Sequence, residues 1–568
     1  MTTSLPCAAR MIAALAAAAG CAHQPPVPAA RFANARPVTV VDDRRDVPTP
    51  PKVRPFYGSL EFFDAGFQDP LLRALAVPRP KRALGVNALD EVPDSTWFTN
   101  RIGVATLTPD EIRTGPLTID SPEHHLPWTV ESATTGTAGT NVGRKAGGSS
   151  PALVVVDARG VRFLLKFDQL RHPPEIETAN HVVVNRLLWA CGYNVPEDQV
   201  VYLRRDDLVI APAAARAVSP GVIDEVLALV HRERDGRIRA LASRWTDGKR
   251  LGGYPSEGVR KDDPNDVIPH ERRRDLRGAY PIYAWLDHVD VHEDNFLDVW
   301  VADPGDARRH YVKHYAIDFG LTLGAMADLA NDLRRGYVYQ IDTPADVVQL
   351  FTLGIAPRPW ERRRGPPDLR GVSPVFDDTS FVPDGWRPSI PYPPFVNADQ
   401  VDMFWGAKLI ARFTPDQIQA AVEAGRFSDP RAAAYVTQTL IGRQRITAAF
   451  WFARVNPLDR FEVAADTGAL CFDDLAVHYR LLAPETATST RYTVGRYDHG
   501  GRSLGAPVGL AGGKGRVCTA PIALAGARDG YTIVKLDTTR RGFTGTTYVH
   551  LARDPATGRA RVIGVWRP

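Results

Sequence analysis

Residues 150–192 read as two strands, a tight turn and one helix, an order that leaves few ways to begin a domain. ALVVV and VRFLLKF are apolar, β-branched runs around the turn DARG, the pattern of a hairpin. PPEIETANHVVVNRLLWACG follows. Prolines stand at its start, acids in its first turn and Gly192 just past its end, which are helix start and stop signals. Val184, Leu187, Leu188 and Cys191 recur at spacings of three and four and give the helix one apolar face. Glu177 shares that face and points inward near the helix start, with Glu175 the competing acid. Lys166 sits inside FLLKF, where burying an ammonium is costly unless it reaches a partner.

The stretch HVDVHEDN, residues 288–295, has two readings. As a strand, alternation puts His288, Asp290 and His292 on one face, a donor set for a transition metal and hence for a metal hydrolase. As a loop, it puts Asp290 five residues before Asn295. Downstream, AIDFG places Asp318 at the end of an apolar strand. Upstream, GRKAGGSSP, with Gly147, Gly148, Ser149 and Ser150, precedes the hairpin. Glycines there allow close backbone approach, and free N–H groups can meet anionic oxygens.

Around this segment the chain changes character three times. Residues 1–21 carry Arg10, a short apolar run and Ala18-Ala19-Gly20-Cys21, a secretory signal too short to span a bilayer. Its end resembles the bacterial lipobox, which implies lipidation of Cys21 and a membrane-held protein of the cell envelope. Ala22 after the cysteine points to the outer membrane. Residues 22–55, rich in Pro, Ala, Val and Arg, are expected as an extended tether. Residues 56–125 form an aromatic-rich N-terminal extension containing NALDEVPDSTWFTNRIG. After Asn456, short runs such as YTIVKL, TTYVHL and RVIGVW separated by Gly, Asp and Thr predict an all-β sandwich over 456–568. Lys and Arg number 69 against 65 Asp and Glu, spread without a basic block, so no nucleic-acid partner is expected. Of the five cysteines, Cys7 and Cys21 lie in the signal and Cys191 reads as a buried apolar residue. Cys471 and Cys518 remain, and an export signal makes a disulfide between them the expectation.

Taken together, the Gly-rich loop, hairpin Lys, helix Glu, HxDxHxxN and DFG follow one another over residues 126–455 in the order of the protein-kinase-like superfamily. HVDVHEDN resembles the HGDLHxxN loop of aminoglycoside phosphotransferases, and the hairpin, helix and GYNVPE resemble the N-lobe of HipA-like kinases. The segment departs from the family in having no strict GxGxxG and no APE element. The resemblance implies an α+β, two-lobed kinase-like fold that uses ATP or another nucleotide with Mg2+ to modify a hydroxyl of a protein, glycan or small molecule. It implies that Lys166 and the loop 147–150 bind the nucleotide, Glu177 orients Lys166, Asp290 is the catalytic base, Asn295 and Asp318 hold Mg2+, and His288 and His292 brace the loop. A non-catalytic envelope scaffold with the same fold is the alternative beside the metal hydrolase.

Overall fold

A computed structural model describes residues 27, 29–68, 81–134, 150–210, 218, 220–325, 335–355, 369–513 and 515–568. The chain forms two compact units. The larger takes Pro37–Pro457 with Leu475–Ala483, and the smaller takes Leu458–Asp474 and Pro484–Pro568 with the N-terminal residues through Arg36. Cys21 and the loop residues Gly147, Gly148 and Ser149 lie outside the described residues.

The larger unit mixes helix and sheet. Its first residues, expected as a tether, do run extended, but from Pro37 onward they are pinned to the body. The Asp43 carboxylate accepts from the Thr96 N–H and hydroxyl, both at 2.8 Å. The Lys52 N–H donates to Asp262 (2.8 Å) and the Arg54 N–H to the Leu251 carbonyl (2.7 Å). An extended proline-rich strip cannot satisfy its own backbone groups, so it takes partners from distant loops. It leads into α1 (Gly58–Phe63).

A six-stranded sheet follows: β1 (Trp128–Thr134), β2 (Ala152–Val156), β3 (Arg162–Phe167), β4 (Asp198–Leu203), β5 (Leu208–Ile210) and β6 (Ile238–Arg244), in the order β4-β6-β3-β2-β1-β5. All neighbours are antiparallel except β5, which adds to the β1 edge in parallel. The expected hairpin is β2–β3, with Ala152 opposite Lys166. Between β3 and β4 runs α2 (Ile176–Cys191), buried along nearly its whole length because HVVVNRLLWAC is apolar on more than one side. Asp168, just after β3, accepts from the N–H groups of Glu177 (3.0 Å) and Thr178 (3.1 Å) and from the Thr178 hydroxyl (2.7 Å). It ties the first turn of α2 to the sheet, and burial pushes its pKa up to about 6 despite the nearby Arg239.

The rest of the unit is a helical layer: α3 (Ala279–Trp285), α4 (Gln400–Ala411), α5 (Pro415–Ala424) and α6 (Pro430–Phe452), with a three-stranded sheet of β7 (Lys249–Arg250), β8 (Phe296–Asp303) and β9 (Asp306–Ala316). The Thr414–Gln417 capping box read from the sequence opens α5. The core gathers Trp285, Phe404, Trp405, Phe413, Ile418 and Leu440. NALDEVPDSTWFTNR proves to be a clasp. Trp97 stacks on His314 of β9 at 3.6 Å, Asp90 pairs with Arg274 (3.1 Å), and Glu91 pairs with Lys408 of α4. The Arg101 guanidinium caps the end of α2 at the Trp189 carbonyl (2.8 Å). Gly192, at φ 127°, follows α2, and a side chain there would meet the Phe98 ring at 2.4 Å.

The smaller unit packs two antiparallel sheets together where an all-β sandwich over 456–568 is expected, but Leu475–Ala483 belong to the larger unit and Pro484–Ser489 form a short helix. One sheet runs β10 (Leu458–Val463), β11 (Ala469–Asp474), β14 (Val517–Pro521). The other runs β13 (Val508–Ala511), β12 (Arg491–Tyr497), β15 (Thr532–Arg540), β16 (Phe543–Arg553), β17 (Ala560–Trp566). Leu470 and Phe472 of the first sheet share a core with Val534, Leu536, Val549 and Leu551 of the second. Cys471 and Cys518 face each other across β11 and β14 and are joined by the expected disulfide. Residues 27–36 belong here: Phe32 packs its ring edge-on against His550 at 4.9 Å, and Arg31 lies over Trp566 at 3.9 Å. Cys191 is a free, buried thiol in α2. Among the described residues no helix is long and apolar enough to cross a membrane.

Candidate functional site

HVDVHEDN is a loop, so the loop reading holds over the strand reading. It leaves α3 through Asp287, which adopts a left-handed conformation at φ 47°, and ends in a short 3-10 turn, Glu293–Asn295, that runs straight into β8. Asn295 fixes the loop from within. Its Nδ2 donates to the Asp290 carbonyl (2.8 Å) and to Asp290 Oδ2 (3.0 Å). The carboxylate of Asp290 is thereby aimed, and the Asn295 side-chain oxygen remains as the atom that can be offered to a cation.

The β8–β9 hairpin returns the chain to the same place. The Ile317 N–H donates to the Asn295 carbonyl at 3.0 Å, which sets Asp318 beside the loop. Asp318 is left-handed, at φ 61°, an uncommon conformation for a residue other than glycine and one that concentrates at functional sites. Its Oδ1 lies 2.6 Å from Lys166 Nζ on β3. Two side-chain pairs, Lys166–Asp318 and Asn295–Asp290, are thus set near one another by the backbone bond from Ile317 to Asn295. They are open to solvent: the side chains of Lys166, Asp290 and Asp318 are 18%, 23% and 41% exposed.

Aromatic rings back these pairs. Phe319 is fully buried between His181 of α2 (5.2 Å) and His288 (5.8 Å), and His288 stacks on Tyr283 of α3 at 4.6 Å. His288 does brace the loop. Burial drives its pKa down to about 3, which keeps the ring neutral. In that position it stands outside the described group of three metal-donor side chains whose ligand atoms lie within 4.8 Å of one another: Glu61, His292 and Asp294. The donor set His288, Asp290 and His292 that a strand would have presented is thus not assembled.

Glu177 does not meet Lys166. Its carboxylate pairs with His172 and accepts from Gln169 Nε2 at 3.0 Å. The loop 168–175 supplies nearer partners for this partly buried side chain. Glu175 is not the substitute either. It sits at φ 74° before α2, pairs with Arg370 and accepts from the Ser428 N–H (2.9 Å). Ser150 is described at the entrance to β2, where Gln169 Nε2 lies 3.4 Å from its hydroxyl.

The structure adds residues that the motif did not announce. Glu61 of α1 accepts from the Glu293 N–H through both carboxylate oxygens (2.8 and 3.0 Å). The Tyr57 N–H donates to Asp294 Oδ2 (3.0 Å), and Arg54 pairs with Glu293. Residues 54–61, an arm between the extended strip and α1, thus contact the loop at Glu293 and Asp294. His292 lies between, with Nδ1 3.7 Å from Glu61 and Nε2 3.7 Å from Asp290. Burial opposes its charge, yet Glu61, Asp290 and Asp294 together raise its pKa to about 9. Burial raises that of Glu61. A run of acids and aromatics in SLEFFDAGF was the only signal in the sequence, and its partner lies 232 residues away.

No family model, curated protein or solved structure matches the chain.

Proposed function

We propose that the larger unit is a two-lobed, kinase-like phosphotransferase that moves a phosphoryl group from a nucleotide such as ATP to a hydroxyl acceptor, on a protein held in the cell envelope by lipid at Cys21. The observation that carries this reading is the pairing of Lys166 with Asp318 beside that of Asn295 with Asp290. Two side-chain pairs from three separated segments, Lys166–Asp318 and Asn295–Asp290, are tied by one backbone bond and carry the charge types that phosphoryl transfer requires, which supports the reading. The sheet order β4-β6-β3-β2-β1, with α2 inserted after β3, supports it, since Lys166 is then presented from a central strand.

Each residue has a role that its surroundings fit. Lys166 offers an ammonium to phosphate oxygens and is kept near the site by Asp318. Asn295 and Asp318 are oxygen donors suited to Mg2+, which when bound would offset phosphate charge. Asp290, with Oδ2 held by Asn295, takes the acceptor's hydroxyl proton on Oδ1 while the acceptor's hydroxyl oxygen bonds to phosphorus and the bond from phosphorus to the leaving nucleotide oxygen breaks.

Calorimetry with Mg2+ and ATP, GTP or ADP tests the reading. Wild type should bind at least one of them, and Lys166→Ala and Asp318→Ala should each abolish binding. Asp290→Asn should keep binding and lower transfer by about 10²–10⁴-fold. Absence of binding to all three at millimolar concentration would hand the lead to a non-catalytic scaffold.

A further inference from the structure

The group Glu61, His292 and Asp294 has no part in the two pairs described above, yet it is built like a ligand set. One imidazole and two carboxylates come from two segments of the chain, with their ligand atoms all within 4.8 Å of one another. Glu61 is buried, His292 is nearly so, and Asp294 is half-buried, so the set has an inner floor and one open side.

Two features point to a cation rather than to a simple ion pair. The first is spacing. His292 Nδ1 stands 3.7 Å from Glu61 Oε2, too long for a hydrogen bond between those atoms. Ligand bonds of about 2.0–2.2 Å around a tetrahedral metal hold such atoms roughly 3.3–3.6 Å apart, so the His292–Glu61 pair is already close to that spacing and Asp294 lies within 4.8 Å of both. The second is orientation. Glu61 and Asp294 each accept a backbone N–H, from Glu293 and Tyr57, so the carboxylates are aimed by groups that are not ligands. Glu61 and Asp290 each have an oxygen 3.7 Å from a nitrogen of the same imidazole, so carboxylates face both of its nitrogens.

We propose that Glu61, His292 and Asp294 bind a divalent transition metal, with zinc the probe of choice for one nitrogen and two oxygen donors. The metal staples α1 to the loop that carries Asp290. His292 binds it through Nδ1, and Nε2–H is left facing Asp290 at 3.7 Å. The site is separate from the Asn295–Asp318 pair and does not depend on nucleotide chemistry.

The test uses the full-length protein in detergent, stripped of metal and dialysed against micromolar Zn2+ in the presence of millimolar Mg2+, with bound zinc counted by mass spectrometry. Wild type should hold a single zinc. Glu61→Gln and Asp294→Asn should weaken it by at least about tenfold, while Asp318→Asn leaves it unchanged. Because Glu61 is buried, the half-buried Asp294 provides the variant that folds normally, checked by an unaltered melting temperature of the metal-free protein. X-ray absorption of the loaded wild type should show one imidazole with an oxygen shell. Three results would each overturn the site: no zinc retained, zinc binding indifferent to both carboxylate variants, or zinc lost in Asp318→Asn, which would put the metal at the Asn295–Asp318 pair.

Discussion

The two units solve the problem of a stable interior differently. The β sandwich closes two sheets over an apolar layer of Leu470, Phe472, Val534, Leu536, Val549 and Leu551 and adds one covalent staple, Cys471–Cys518. The α/β unit also has a large apolar core, but it threads charged pairs through it. Arg274 is 2% exposed and pairs with Asp90 and Asp402, Arg239 lies 3.7 Å from Asp168, and His314 sits 2.6 Å from a fully buried Asp298. Apolar alternation needs only that strands face each other. Buried ion pairs need particular side chains from distant segments to arrive together, because an unpaired buried charge costs more than a pair returns. The second strategy fixes position, and a site made of Lys166, Asp290, Asn295 and Asp318 requires position.

The contrast can be broken most strongly on the charged side. Asp402→Ala leaves Arg274 and Arg277 without their shared carboxylate and should cost the α/β unit about 3–5 kcal/mol. Hydrogen exchange followed peptide by peptide should show the loss in that unit with the sandwich unchanged. Next comes the staple. The disulfide closes a separation of 47 residues, and replacing both cysteines by alanine should cost the sandwich about 2–4 kcal/mol by denaturant titration.

Acid offers a gentler probe of the sandwich. Burial, aided by Arg31, lowers the pKa of His550 to about 4, against about 6.5 in an unfolded chain. The fold therefore favours neutral His550: its full stability is present above about pH 6.5 and falls as pH drops toward 4, where the loss levels off. By pH 5 the loss should be about 2 kcal/mol, and His550→Gln should flatten that part of the pH profile. A profile equally steep in the variant would mean that other groups govern acid stability. The smallest effect separates long-range from local pairs inside the α/β unit. Glu177 pairs with its neighbours His172 and Gln169, so Glu177→Gln should change nucleotide affinity by less than about threefold, worth roughly 0.6 kcal/mol. A loss as large as that of Asp318→Ala would mean that Glu177 turns to Lys166 when nucleotide is bound.

The same division marks what the sequence disclosed. Alternation and turn residues predict short strands after Asn456, and the cysteine count together with the signal-like N-terminus predicts the disulfide, because both are short-range or compositional arguments. The β2–β3 hairpin, α2 and the α5 capping box are legible for the same reason. Lys166 and Asp318 stand out because each is a charge in an apolar run that must find a partner. That they are each other's partner is not legible, and the family resemblance together with helical facing points to Glu177. Facing says which side of α2 Glu177 occupies. It does not say that His172 will fold back onto it. The strip and the arm show the limit most sharply: the strip's proline-rich composition predicts extension correctly, while their bonds to Asp262, Leu251 and Glu293 depend on segments roughly 200 residues away.

The docking of residues 27–36 on the sandwich has a mechanical meaning. Five residues lie between Cys21 and Val27, the first described residue, which packs on that unit, so Val27 is the sixth residue after Cys21. A chain of six residues reaches no farther than about 20 Å. A lipid on Cys21 would therefore hold the Val27 end of the sandwich within about 20 Å of its attachment point, a close mooring rather than a float on a long line.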